Sequence, residues 1–403
     1  MDEMRVEGMA EPGFGLVAEA FGRNFEAGEE TGAAVCVYHG GRKVVDLWCG
    51  MQDAAARKPW DEHTVVPVLS TGKGITAAAA LIAASRGQFD LDQPVAAFWP
   101  AFAANGKEAI RVRDLLNHSA GLVFFGRVVT RGDLGDHDAR VAFLEQMTPD
   151  WPPGTRWGYH LATFGPLLAE VISRTDPLGR SFGQWFQDEV ALPAELRFRF
   201  GISADEIDDM ARVEGSWMPR FAAALGHAPF GLVRQALNPF SRLHRTVREI
   251  PDLNLNEPDW LALEFPSANG IGEARAIARL YAMLASPDES PLAPHILQDL
   301  LAPQTPPPLG RRDAVMGVET NWHLGFVRPG GGFAYSPSPR AFGMPGLGGS
   351  FGFCDPDRQI GYAYTPNRLG PLPFDDPREQ RVRQAVYAAL DCVAATAEPA
   401  HAA

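Results

Sequence analysis

Apolar residues return every three to four positions through 14–26, which predicts an amphipathic helix, and the Ala-rich 75–85, stopped by Gly87, predicts another. Between them the period changes. Residues 34–38 and 43–48 alternate or cluster β-branched and aromatic side chains around His39-Gly40-Gly41-Arg42, the pattern of two strands joined by a tight turn with glycines at its tip. From residue 90 to about 265 strand signals nearly vanish, and helices are expected over 112–117, 140–146, 164–174, 182–190 and 221–237. Helix continues through 271–284 and 294–301, and the proline-rich 303–310 reads as a surface spacer. Strand patterns resume at 322–327, 349–354 and 359–364. A last helix with acidic residues at its start is expected over 377–395, before a frayed tail. Helix and strands at both ends around a helical middle predict one sheet built from the two termini, with the middle packed against its edge.

Composition narrows the classes of function. A formal net charge of −13 over 403 residues argues against a nucleic-acid partner, which needs a basic face. No run approaches the ~18 apolar residues of a membrane span, and the opening MDEMRVEGMAEPG has no apolar stretch behind a positive one, so a cytoplasmic location is expected. Cys36, Cys49, Cys354 and Cys392 lack C-x-x-C spacing, which argues against a zinc knuckle and a disulfide scaffold. Cys36 and Cys49 fall on adjacent predicted strands and are expected as a reduced, buried pair. His137 stands alone between aspartates, and neither a metal nor a cofactor is expected.

One short stretch carries candidate chemistry. Ser70-Thr71-Gly72-Lys73 begins the helix predicted after the apolar 65–69, and it reads either as a nucleophile with its base one turn away or as an ordinary helix start capped by serine. Only four lysines occur, Lys43, Lys58, Lys73 and Lys107, all other cations of the 36 being arginine. With 14 serines, a chance Ser-x-x-Lys is expected in roughly one such chain in seven. Arginine stays protonated, whereas a desolvated lysine loses its proton near neutrality, and the apolar flanks supply a dry setting. The second candidate is Tyr159 in PPGTRWGYH, either a packing residue or a proton shuttle.

Four blocks in order, Ser70–Lys73, RVRDLLNHSAGL (111–122), PGTRWGYH ending at Tyr159-His160, and FGMPGLGGSFGFCDPD (342–357), resemble the serine β-lactamase and penicillin-binding-protein superfamily. Within it the chain is similar to class C β-lactamases and, above all, family VIII carboxylesterases of the EstB-like kind. The resemblance implies a β-lactamase/transpeptidase-like α+β fold, with a central antiparallel sheet flanked by helices. It divides the chain into a discontinuous α/β domain of 1–88 and 266–403 and a mostly helical domain of 89–265, with the active site at their junction. It implies Ser70 as nucleophile, Lys73 as base and Tyr159 as proton relay, with an oxyanion hole from the backbone N–H groups of Ser70 and Leu347. Substrate is expected to meet Leu161, Met344, Gly346 and Gly348.

Two departures bear on substrate. Leu161 stands where β-lactamases carry the asparagine of Tyr-x-Asn, and Met344-Pro345-Gly346 replaces their Lys-Thr-Gly, so no cation remains there to grip a carboxylate. The expected activity is hydrolysis of small-molecule carboxylic esters of small to medium acyl groups through an acyl-enzyme. A β-lactamase, a D-Ala-D-Ala peptidase or an acyltransferase stands as the alternative. Gly348-Gly349-Ser350-Phe351-Gly352 also fits the Gly-x-Ser-x-Gly elbow, but the only later histidine is His401 in the tail, so Ser350 is disfavoured. His118 and His160 remain unassigned. The apolar 216–240 either roofs the pocket or packs on the helical part.

Overall fold

The hairpin expected around Gly40-Gly41 forms. β2 (Gly32–His39) and β3 (Arg42–Asp53) pair antiparallel, and both turn glycines have positive φ. The computed structural model describes residues 5–397 apart from 204–205, 208–209, 216–225, 227, 251–253, 285, 287 and 373. The remaining strands are β1 (Glu7–Ala10), β4 (Lys58–Pro59), β5 (Val66–Pro67), β6 (Phe198–Phe200), β7 (Gly270–Gly272), β8 (Trp322–His323), β9 (Phe326–Val327), β10 (Phe342–Pro345), β11 (Phe351–Asp355) and β12 (Ile360–Pro366).

β12 lies beside β2, with Ile360 opposite His39 and Pro366 opposite Ala33, so the two ends of the chain share one sheet. Its order is β1-β3-β2-β12-β11-β10-β9-β8, antiparallel throughout, with β4 paired to β3.

Strand alternation sorts the inner side chains into two cores. Val35, Val37, Phe351, Phe353, Tyr362 and Tyr364 join α1 (Gly15–Glu26) and the C-terminal helix Pro377–Ala397 in one. Cys36, Cys354 and Ala363 face α2 (Thr71–Ser85) and the helix Ala274–Leu284 in the other. On that face the approach is close enough to need glycine, since a Cβ at Gly361 would sit 2.3 Å from the Ala278 carbonyl oxygen. The sheet with helices on both faces is the expected α+β fold. Cys36 and Cys49 are buried, unlinked thiols. Among the described residues no helix is long and apolar enough to cross a membrane.

Several local expectations change. The helix predicted over 271–284 begins only at Ala274, because Gly270-Ile271-Gly272 forms β7 between β5 and β6 in a small second sheet. The Phe198 ring lies where a Cβ on either glycine would be, which is why an extended glycine pair wins over a helical turn. The single strand predicted over 322–327 is instead the hairpin β8–β9. Leu324 (φ 47°) and Gly325 (φ 89°) form its two-residue turn, and the Leu324 N–H donates to Asn117 Oδ1 at 2.7 Å. In 182–190, helix holds over Phe182–Phe186 and then widens into a π-type turn over Gln187–Ala191. Of 221–237, the described helix is Phe230–Leu237, with Phe230 and Leu237 exposed, while 221–225 and 227 lie outside the described residues.

A buried charge cluster ties the C-terminal helix to the turn between β10 and β11. Arg378 donates from Nη1 to Glu30 Oε2 (2.8 Å), from Nε to Asp376 Oδ1 (2.8 Å) and from Nη2 to the Gly348 carbonyl oxygen (2.8 Å). Burial pushes the Glu30 carboxyl up to about 7 despite the opposing pull of Arg378. Removing the cation leaves two buried carboxylates uncompensated, so Arg378→Gln is expected to cost about 3–5 kcal/mol in urea unfolding. A loss below about 1 kcal/mol would show that the cluster is solvated.

Candidate active site

The site begins where the small sheet hands the chain to α2. The Val68 N–H donates to the Gly270 carbonyl oxygen (2.9 Å), and Leu69 then takes a left-handed φ of 47°, turning the chain sharply into Ser70. The run Thr71–Ala84 is apolar on every side apart from a few positions and is buried throughout, so Lys73 enters the core with its helix.

Ser70 has helical backbone angles, and its side chain makes no capping bond. Ser70 thus stands at the N-cap position of α2 without capping it: its Oγ accepts from Lys73 Nζ at 3.1 Å instead. Lys73 Nζ also donates to the Ser267 carbonyl oxygen at 2.6 Å. Ser267 is itself fixed, its Oγ donating to the Ala162 carbonyl oxygen (2.7 Å) and accepting from the Gly165 N–H (2.8 Å). Burial alone lowers the Lys73 ammonium from its usual range to about 7. Near neutrality the amine is thus neutral in a large fraction of molecules and able to take a proton from the Ser70 hydroxyl.

Tyr159 comes to the same place. Lys73 Nζ is 5.0 Å from its ring centroid, and the ring stacks on Trp322 at 5.3 Å and 2°. Burial holds the phenol well above its usual range, partly offset by a hydrogen bond with the Ser70 side chain, so Tyr159 stays protonated. The two histidines left unassigned are neutral and structural in their contacts. His160 Nδ1 donates to the Gly158 carbonyl oxygen (2.8 Å), Nε2 accepts from the Leu122 N–H (3.0 Å), and burial lowers its imidazole to about 4. His118 Nδ1 accepts from the His160 N–H (3.2 Å), and its ring packs edge-on against Tyr159 and Trp322. Burial, His160 and Lys73 all hold it uncharged.

Sequence reasoning missed Asp313. Its buried carboxylate accepts from the N–H groups of Tyr159 (3.2 Å), Val315 (2.9 Å) and Met316 (2.8 Å) and from Trp322 Nε1 (2.9 Å). One side chain thereby sets both the Tyr159 backbone and the ring on which Tyr159 stacks. Nothing in the sequence around Asp313 marks it, because the bond that ties it to the site goes to Tyr159, 154 residues away.

The turn between β10 and β11 closes the other side. Ser350 is buried and its Oγ donates to the Val68 carbonyl oxygen (2.8 Å) and bonds Thr71 Oγ1 (3.0 Å), so it pins this turn to the start of α2. No helix follows it, which removes the elbow reading. Gly346 sits in the same junction: a Cβ there would lie 2.2 Å from Ser350 Oγ and 2.5 Å from the Val68 carbonyl oxygen. Among the described residues the Ser70 and Leu347 N–H groups donate to no backbone carbonyl. Leu347 and Leu161 are partly buried against the cores, Gly348 has positive φ (97°), and Met344 is fully buried against Gly74. His137 bonds Glu170 (3.1 Å), and among the described residues no group of three or more His, Cys, Asp or Glu converges as a metal site.

A lysine that folding shifts from the usual 10.5 down to about 7 opposes folding fully below pH 7, and this burden disappears as pH rises to 10.5. Lys73→Met removes it. The stability advantage of Lys73→Met over the parent is therefore expected to shrink by about 1.4 kcal/mol per pH unit between 7 and 10.5. Urea titrations at pH 6, 8 and 10 check this, and parallel profiles for the two proteins would contradict it.

Comparison with known proteins bears on the family and the fold. The β-lactamase family model matches residues 18–387. The chain is 34% identical over 382 residues to Esterase/beta-lactamase LipL of Mycobacterium tuberculosis, spanning 92% of this chain and 85% of that protein. Among solved structures it is similar to a family VIII carboxylesterase (TM-score 0.83, 32% identity, 96% of this chain and 100% of that one). A penicillin-binding-protein homologue from Caulobacter crescentus is alike to a similar degree (TM-score 0.81, 32% identity, 96% and 100%). With the matched region running from α1 to the C-terminal helix, the chain belongs to the β-lactamase family of serine hydrolases.

Proposed function

We propose that the protein hydrolyses neutral carboxylic esters of small to medium acyl groups through an acyl-enzyme on Ser70. The observation that carries this is the buried Lys73 amine, held 3.1 Å from Ser70 Oγ and lowered to about 7 with no carboxylate to keep it charged. The names of the relatives, an esterase/β-lactamase and a family VIII carboxylesterase, support the ester half of the reading.

In this reading Ser70 Oγ attacks the ester carbonyl carbon as its proton passes to Lys73 Nζ. The carbonyl electron pair moves onto oxygen, which the Ser70 and Leu347 N–H groups stabilise. As the tetrahedral intermediate collapses, the alkoxide leaves with a proton from the Tyr159 hydroxyl, which Lys73 replenishes. Water then attacks the acyl-enzyme with Lys73 again accepting the proton, and Ser70 departs with it restored. Tyr159 acts as a donor rather than a base, because its buried phenol does not ionise near neutrality. This reading takes 1–88 with 266–403 as one domain and 89–265 as the other, with Ser70 and Lys73 drawn from the first and Tyr159 from the second.

Two expectations test the chemistry. kcat/KM for a p-nitrophenyl ester should rise with pH through an apparent pKa of about 7, because only neutral Lys73 accepts the proton. Lys73→Arg keeps a positive charge but cannot accept a proton, so it should lose about 10²–10⁴ in rate. If Lys73→Arg keeps a tenth of the parent kcat, Lys73 is only a fixed cation.

Substrate class follows from Leu161 and Met344. A β-lactam brings an acylamide and a carboxylate, and the positions expected to meet them hold two apolar side chains, one of them sealed in the core. Stranding a carboxylate there costs several kcal/mol. kcat/KM for p-nitrophenyl butyrate should therefore exceed that for nitrocefin by about a hundredfold or more. A fluorophosphonate should label Ser70, and Ser70→Ala should abolish both labelling and turnover. Equal efficiency on the two substrates, or an adduct on Ser350, would overturn the assignment.

A further inference from the structure

Behind Tyr159 lies a second cavity, open to solvent and of about 290 Å³, that the proposed reaction does not use. Its lining includes Arg156, Arg242, Arg312, Gln235 and Asp313. Three arginines thus gather around one small space although the chain as a whole is acidic, with a net charge of −13. They come from three segments: Arg156 from the loop before Tyr159, Arg242 from the first position of the helix Arg242–Glu249, and Arg312 from the loop that pairs back on residues 155–157.

Like charges gathered without an anion repel one another, and the structure does little to neutralise them. Arg242 is held by Nε on Asp150 Oδ2 (2.5 Å) and lies over the Trp151 ring, which fixes its guanidinium at the cavity wall. Arg156 Nε is buried with no hydrogen-bond partner among the described residues, and Arg156 forms no ion pair among them, so its guanidinium stands at the cavity wall without a carboxylate to balance it. The Asp313 carboxylate is taken up by its four donors from Tyr159, Val315, Met316 and Trp322 and forms no ion pair with the arginines among the described residues. Guanidinium forks match carboxylate and phosphate oxygens in pairs, and the cavity volume suits a small molecule rather than a chain.

We infer that this cavity is a second binding site, for a small carboxylate- or phosphate-bearing anion. Asp313 is part of its wall and also holds the Tyr159 N–H, so an occupant there borders directly on the support of the reacting tyrosine. Two of its three arginines, Arg242 and Arg312, lie outside the four blocks shared with the family, and its binding does not depend on Ser70 acting as nucleophile.

Titration calorimetry with inorganic phosphate, and separately with succinate, on the full chain tests this at low ionic strength. Saturable binding is expected in the parent and equally in Ser70→Ala, weakened at least tenfold in Arg156→Gln and in Arg312→Gln. Arg312 is exposed, so its variant is expected to fold even if Arg156→Gln does not. A kinetic arm separates the two sources of such an anion. Phosphate that competes with p-nitrophenyl butyrate points to an acid group carried by the substrate, whereas a change in kcat alone points to a free anion acting through Asp313, and either result supports the site. Absence of saturable binding in the parent, or binding that Arg312→Gln leaves unchanged, overturns it.

Discussion

Everything around the reacting groups follows from one constraint: an amine must be kept dry. A lysine reaches about 7 only if nearly all its water is removed and no carboxylate replaces it. α2 meets that condition by being apolar on every side and packed between the sheet and the helical part. The two acceptors left to the amine, Ser70 Oγ and the Ser267 carbonyl oxygen, are neutral, so they orient it without holding its proton. Folding bears the cost, and a stabler protein with a solvated or paired lysine would have lost its base.

Keeping the amine dry also explains how the sheet is built. The turn between β10 and β11 must press on the start of α2, and Ser350, Thr71 and the missing side chain of Gly346 let it do so within van der Waals contact. From the far side Arg378 grips the Gly348 carbonyl oxygen and joins that turn to the C-terminal helix. Leu69, strained at φ 47°, completes the arrangement by delivering Ser70 at the N-cap position of α2 with its hydroxyl turned to Lys73 rather than to the backbone.

Legibility in the sequence tracks how local each feature is. Ser70, Lys73 and Tyr159 sit in short ordered blocks, and the sheet shared by both termini shows in the alternation of 34–38, 43–48 and 359–364. β7 and β10 were not legible, because three or four residues with glycine or proline among them carry no period of their own, and β6, only three residues long, is too short to show one. Asp313, Ser267 and Trp322 escaped for a different reason: each matters through partners about 100 residues away or more, and nothing adjacent in sequence records the pairing. Scarcity of lysine pointed to Lys73, yet Lys107 is as scarce and as buried, and its amine merely closes three backbone carbonyls at Ala104, Glu145 and Met147. Rarity identified candidates, and only geometry separated the amine that meets Ser70 Oγ from the clamp.

The arginines complete the division of labour. A guanidinium cannot give up its proton, so it serves wherever a permanent charge is wanted: among the buried carboxylates at Arg378, and around the cavity behind Tyr159. Had one of these permanent cations stood beside Ser70, its field would have lowered Lys73 further and also drawn a substrate carboxylate to the acyl site. Met344, sealed into the core where β-lactamases place a lysine, keeps that position uncharged. Tyr159 links the two places: its ring borders the uncharged setting of Lys73, and its N–H donates to Asp313, which also lines the arginine cavity.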